Sequence, residues 1–137
     1  MENKSFNLEI ESDPQNLITV EEFINYIAVE LNIPEDKLNG LLISVTEAVT
    51  NAIKHGNNSD KNKSVFIQVD SNEEFLIIKV KDQGKGFDPL EIPDPTQPDN
   101  LLKDSGRGIY LMKIYMDEIE FNPTENGTET ILKMKLK

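Results

Sequence analysis

The chain has no cysteine, few basic residues for its acidic ones, and no long apolar run. Without cysteine there is no disulfide, no thiol nucleophile and no thiolate metal site. No stretch approaches the ~20 apolar residues a membrane-spanning helix needs, and the N-terminus MENKSFNLEIES lacks the apolar core of a signal peptide. A cytoplasmic protein with no membrane contact is therefore expected. Three glycosylation-type triplets, Asn57-Asn58-Ser59, Asn62-Lys63-Ser64 and Asn126-Gly127-Thr128, have no consequence without a secretory route. With 14 Lys and Arg against 25 Asp and Glu, the net charge of -11 repels phosphate backbones, so nucleic acid is not an expected partner. A single nucleotide is not excluded, because one polyphosphate needs only a local cradle of backbone N–H groups and a metal ion.

What is present is an ordinary globular composition, 37% hydrophobic and 28% charged over 137 residues. Splitting a chain of this size would leave each half too little apolar area to bury, so residues 1–137 are expected to form a single domain. Phe6, Leu8 and Ile10 alternate with polar residues as in a half-buried strand. After the helix-start signal Ser12-Asp13-Pro14, Leu17, Val20, Ile24, Ile27 and Leu31 recur at helical spacing. Pro34, Glu35 and Asp36 open a second helix over roughly 35–55, with Gly56 as its stop. Val65, Ile67 and Val69, then Leu76, Ile78 and Val80, predict a hairpin turning at Ser71-Asn72-Glu73. A stretch of about twenty residues carrying Pro89, Pro93, Pro95 and Pro98 reads as a functional loop, a lid over about 87–105. A short helix after Gly108 and two strands joined at Asn126-Gly127 complete the chain. That order predicts an α+β fold: a mostly antiparallel, mixed sheet covered on one face by helices.

Three polar clusters stand out against this frame. On the second helix, Glu47, Asn51 and His55 are spaced by four and line one edge, beside the apolar stripe of Leu38, Leu41, Leu42, Val45, Ala48, Val49 and Ala52. Taken alone this is an ordinary solvated face. Asp82-Gln83-Gly84-Lys85-Gly86 follows a strand, and Asp82 shares the phase of Leu76, Ile78 and Val80, which points its carboxylate under the helices. An acid there needs a donor. Ser105-Gly106-Arg107-Gly108 ends the lid at a helix start, where free N–H groups attract an anion.

The conjunction Glu-x-x-x-Asn-x-x-x-His-Gly, Asp-x-Gly-x-Gly, lid, Gly-x-Gly spans nearly the whole chain and resembles the N, G1 and G2 boxes of the GHKL ATPases. Gly127-Thr128 entering the last strand resembles the threonine that closes the adenine pocket there, and Thr128 and Thr130 both share the inward phase of Leu132, Met134 and Leu136. The resemblance implies a two-layer Bergerat sandwich that binds ATP and Mg²⁺. It assigns the metal-ligating oxygen to Asn51, the general base to Glu47, the adenine acceptor to Asp82, approach to the base to Gly84 and Gly86, and the phosphate wrap to Gly106 and Gly108. Arg107 is placed to add charge at the γ-phosphate, and His55 reads as a structural cation at a helix end.

The chain's only histidine lies within the first box, so a sensor histidine kinase lacks its phosphate acceptor here. The phrases Glu-Ala-Val-Thr-Asn-Ala-Ile-Lys-His-Gly and Ser-Gly-Arg-Gly-Ile-Tyr-Leu-Met resemble instead the anti-sigma factor serine kinases of bacterial partner switching. That likeness implies a serine/threonine kinase, usually a homodimer, that holds a sigma factor and phosphorylates a serine of an anti-anti-sigma (STAS) protein. The alternative is an ATP-gated binding module that transfers no phosphate.

Overall fold

The computed structural model describes residues 3–84 and 104–136, with backbone only for 104–107. Among the described residues, five strands and three α-helices follow one another in the expected order: β1 (Lys4–Glu11), α1 (Leu17–Leu31), α2 (Glu35–Asn51), β2 (Ser64–Ser71), β3 (Phe75–Lys81), α3 (Asp104–Tyr115), β4 (Glu118–Thr124) and β5 (Gly127–Lys135). The strands form one sheet in the order β1-β2-β3-β5-β4, and every pairing among them is antiparallel.

Local chemistry sets the boundaries. A short 3-10 turn at Pro14–Asn16 leads into α1, with the Asp13 carboxylate accepting from the Gln15 N–H at 3.0 Å. Asn32, in the left-handed conformation at φ 54°, ends α1, a position where Asn is tolerated better than most residues. Between β2 and β3 the Asn72 side chain accepts from both Glu74 and Phe75 N–H groups, the self-bonding that makes Asn a turn residue. Pro123 sits in β4, an edge strand, where a missing N–H costs no ladder bond.

Strict alternation along the strands puts one face inward. Leu8, Ile67, Val80, Thr130 and Phe121 stand opposite one another across all five strands. Against this face pack Val20, Ile24, Ile27 and Leu31 of α1, Leu41, Val45, Ala48 and Val49 of α2, and Met112 of α3, all buried. Each fully buried aliphatic side chain contributes roughly 1.5–3 kcal/mol through removal of apolar area from water. The opposite face of the sheet carries partly exposed residues such as Gln68, Lys79 and Lys133. The α+β, two-layer reading therefore holds.

Candidate active site

The helix that carries the first polar cluster does not run on regularly to Gly56. From Ala52 to Gly56 it widens into a π turn, closed by Asn57 N–H bonding to the Ala52 carbonyl at 2.8 Å. Such turns recur at functional sites because they re-aim the side chains beyond them. Asn51, the last α-helical residue, is buried at 4% exposure, and its amide nitrogen has no hydrogen-bond partner. Glu47, one turn earlier, is half-buried. His55 is exposed: the extra residue in the wide turn takes it off the row that Glu47 and Asn51 share, so the three-residue edge expected from spacing is a two-residue one.

Asp82 lies one step beyond β3, and the ladder with β5 continues through it: its N–H donates to the Thr128 carbonyl at 3.1 Å. Its side chain is 1% exposed, on the helix-covered face as the strand phase requires. One carboxylate oxygen, Oδ1, accepts from the Thr128 and Gly84 N–H groups, each at 3.1 Å. Burial pushes the carboxyl above its ordinary value, while those two N–H groups and the charge of Lys63 oppose the rise. The space around it exists because of glycine. A Cβ on Gly56 would run into the Asp82 carboxylate, and one on Gly84 would run into the Gly56 carbonyl, so the second and first clusters pack backbone to backbone. Gly84 thus meets another part of the protein closely, a demand that spacing alone did not reveal.

Sequence reasoning missed Asn57 altogether. It is fully buried, and its side chain bonds to three separate segments: it donates to Ser12 Oγ at 2.6 Å and to the Ser64 carbonyl at 3.0 Å, and accepts from the Gln83 N–H at 2.7 Å. Read by pattern, the residue looked like part of an idle glycosylation triplet. Its position directly after the helix-ending Gly56 was the available signal.

The third cluster lies wholly within α3. That helix begins at Asp104, not after Gly108, so Gly106, Arg107 and Gly108 are helical backbone. The free N–H groups of a helix are those of its first four residues, which here include Gly106 and Arg107 but not Gly108. Gly108 is small for a different reason: a Cβ there would collide with the Glu47 carboxylate. Gly86 and all of the expected lid except its last two residues lie outside the described residues. Thr128 and Thr130 are buried on the inner face beside Asp82, as their phase required. The structure thus sets Gly108 of α3 against Glu47 of α2, one turn from Asn51, and gathers Asp82, Gly84 and Thr128 beside the π turn that ends α2.

Helix, wide turn, buried acid and glycine-walled backbone can be set beside known proteins. The profile of the histidine kinase-like ATPase domain matches residues 10–135. The chain belongs to that family. Within it, the chain is 36% identical to the anti-sigma F factor of Priestia megaterium over 140 residues, covering 95% of this chain and 91% of the relative. It is 33% identical to the anti-sigma F factor of Clostridium perfringens strain SM101, with 99% of each chain covered. The serine-protein kinase RsbW of Bacillus subtilis is 30% identical, covering 92% of this chain and 82% of the relative. Among solved structures, the RsbU and RsbW domains of Rv1364c from Mycobacterium tuberculosis superpose with a TM-score of 0.69 at 13% identity, covering 97% of this chain and 32% of that one. The histidine kinase domain of a blue-light activated kinase from Erythrobacter litoralis gives 0.59 at 19% identity, with 93% and 62% covered. These two likenesses establish the shared fold. By sequence, the chain is a GHKL-family member of the compact anti-sigma kinase type.

Proposed function

We propose that this chain is an ATP-dependent protein serine/threonine kinase that holds a sigma factor and phosphorylates a serine of an anti-anti-sigma (STAS) partner. The observation that carries the reading is the buried Asp82 carboxylate, one oxygen committed to two backbone N–H groups, packed against the π turn that follows Asn51, whose buried amide nitrogen has no partner. A buried acid in a pocket of backbone suits an exocyclic amino group, which donates to a carboxylate and selects adenine. Gly84 and Gly86, and Thr128 beside the acid, belong to that base-binding end. Gly106, Arg107 and Gly108 belong to the phosphate end, where the N–H groups opening α3 favour an anion.

The residues present fit a magnesium nucleotide. Among the described residues no cluster of three or more His, Cys, Asp or Glu forms a protein cage for a metal. Mg²⁺ needs no such cage, since it takes most of its oxygen ligands from phosphate and water and only one or two from protein. Asn51 would hold it through its side-chain oxygen, while its unsatisfied amide nitrogen, which can only donate, suits a phosphate oxygen. When bound, the ion neutralises phosphate charge. Glu47 then takes the proton of the acceptor serine as its oxygen forms a bond to the γ-phosphorus and the bond from that phosphorus to the bridging oxygen of ADP breaks. Gly108 leaves room for the Glu47 carboxylate to do so. The protein acts as a single domain, as a homodimer and in the cytoplasm. No helix among the described residues is long and apolar enough to cross a membrane.

The test is transfer of labelled γ-phosphate to a co-encoded STAS-like protein by wild type and Glu47→Gln. The amide keeps the shape and loses the proton acceptor, so ATP should still bind while transfer slows by roughly 10²–10⁴-fold. Tight ATP binding by wild type with no transfer to any such protein would favour the binding module.

A further inference from the structure

Asp82 can select adenine only if its carboxylate keeps one orientation, and the bonds that orient it run through a turn of three residues. Thr128 N–H holds Oδ1 from the neighbouring strand, whereas Gly84 N–H holds it from within the turn. The path from Asp82 to Gly84 passes through the Gln83 peptide. The N–H of Gln83 belongs to the peptide plane whose rotation is the ψ of Asp82, so whatever holds that N–H decides whether Gly84 can reach Oδ1. Its partner is Asn57 Oδ1 at 2.7 Å.

Asn57 is built for that task. Its orientation follows from its partners' chemistry: Ser12 Oγ already donates to the Lys63 carbonyl at 2.7 Å and so accepts here, the Ser64 carbonyl can only accept, and Gln83 N–H can only donate. Exchanging the amide's oxygen and nitrogen would set donor against donor and acceptor against acceptor. Both donors and the oxygen are used, within a residue fully closed to solvent. The Gln83 side chain adds a brace by accepting from Ser64 N–H at 2.7 Å. Asn57 itself is held by the π turn, through its N–H to Ala52. The helix bearing Glu47 and Asn51 is thereby locked to the turn bearing Asp82.

We propose that Asn57 is a positioning residue for nucleotide selection: by accepting from Gln83 N–H it fixes the Asp82 carboxylate toward the adenine amino group. The inference rests on the reading of Asp82 as the adenine acceptor. Asn57 does not touch the nucleotide and takes no part in phosphate transfer, so its loss acts on affinity and base preference and leaves turnover alone.

The experiment measures ADP and inosine diphosphate binding by calorimetry, with melting temperature and kinase KM and kcat, for wild type, Asn57→Ala, Asn57→Asp and Asp82→Asn. Inosine diphosphate lacks the 6-amino donor, so the ratio of the two affinities reads the carboxylate directly. Asn57→Ala should weaken ADP about tenfold, the equivalent of about 1.4 kcal/mol, with inosine diphosphate much less affected. KM for ATP should rise with kcat unchanged. Asn57→Asp keeps the acceptor for Gln83 and loses the donors to Ser12 and Ser64, so it should restore most of the base preference while melting below wild type. A purely structural Asn57 would lower the melting temperature of both variants and leave the preference intact, which overturns the proposal. If Asn57→Ala does not fold, Asn57→Asp decides alone: a folded variant that has lost its preference for ADP would refute the acceptor role. Asp82→Asn separates the two layers. Unchanged preference in that variant brings down the adenine reading and this inference with it, whereas preference lost there and kept in Asn57→Ala removes only the inference.

Discussion

Asp82, the proposed adenine acceptor, is a carboxylate kept in a place where charge is costly. Burial raises the Asp82 carboxyl above its ordinary value of 3.8, so the folded state holds the proton more tightly than the unfolded chain does. Stability therefore falls as pH rises from about 3.8 through the folded value, and is level above it. Asparagine at the same position still accepts from Thr128 and Gly84 and does not titrate. Without nucleotide, Asp82→Asn should melt at or above wild type at neutral pH, with its advantage shrinking as pH falls toward 4. With nucleotide the order reverses, because a charged acceptor is lost, and ADP should bind more weakly by about 1–3 kcal/mol. Thermal melts across pH and calorimetry at neutral pH check both halves. A variant less stable than wild type at every pH would mean that the carboxylate is a net support of the fold. The phase of β3 put Asp82 on the inner face in advance, since alternation is a property of the strand. The identity of its two N–H donors was not legible, because one lies 46 residues away on β5.

At the scale of elements, α2 and α3 are fitted to each other by absences. A Cβ on Gly40 would lie 2.6 Å from Cδ1 of Tyr115, so the ring seats where a side chain would otherwise stand. Gly108 makes the equivalent concession to Glu47 at the other end of the contact. Glycine inside a helix costs about 1 kcal/mol relative to alanine, and on propensity alone Gly40→Ala should stabilise. We expect the opposite in wild type, because the Tyr115 ring must move. In a Tyr115→Ala background the same change should stabilise by about the propensity difference. Denaturant unfolding of the four proteins in this cycle gives the answer, and an effect of the same sign in both backgrounds would mean that Tyr115 does not rest on Gly40. Periodicity located α1, α2 and all five strands, each of which has an apolar repeat that only one face can bury. It misplaced the start of α3, whose first residues have no such repeat: glycines read as loop proved to be helix, and Gly108 is small because Glu47 stands against it.

For the whole molecule, the net charge of -11 and two carboxylates at the site, Glu47 and Asp82, make an unfavourable field for a polyphosphate. A neutral Asn51 cannot offset it. ATP should therefore bind with full affinity only alongside a divalent ion, and calorimetry in Mg²⁺ and in EDTA should show clear weakening without metal. Equal affinity in the two buffers would count against Asn51 as a metal ligand. Lower salt should widen the difference, since screening of the protein's own charge is then weaker.

The sequence by itself determined the class of fold, the inward face of each strand and the order of the polar clusters, because these depend on repeats of two and three to four residues along a continuous chain. It also carried the family, which is matched over residues 10–135 and shared with relatives about one-third identical. Tertiary structure decided how the clusters meet. The π turn at Ala52–Gly56 removed His55 from the row and brought Asn57 under the Asp82 turn, and neither change alters any residue spacing. The hydrogen bonds that Asn57 donates to Ser12, 45 residues away, and accepts from Gln83, 26 residues away, have no local signature, since an amide is placed by whichever segments the fold brings within reach.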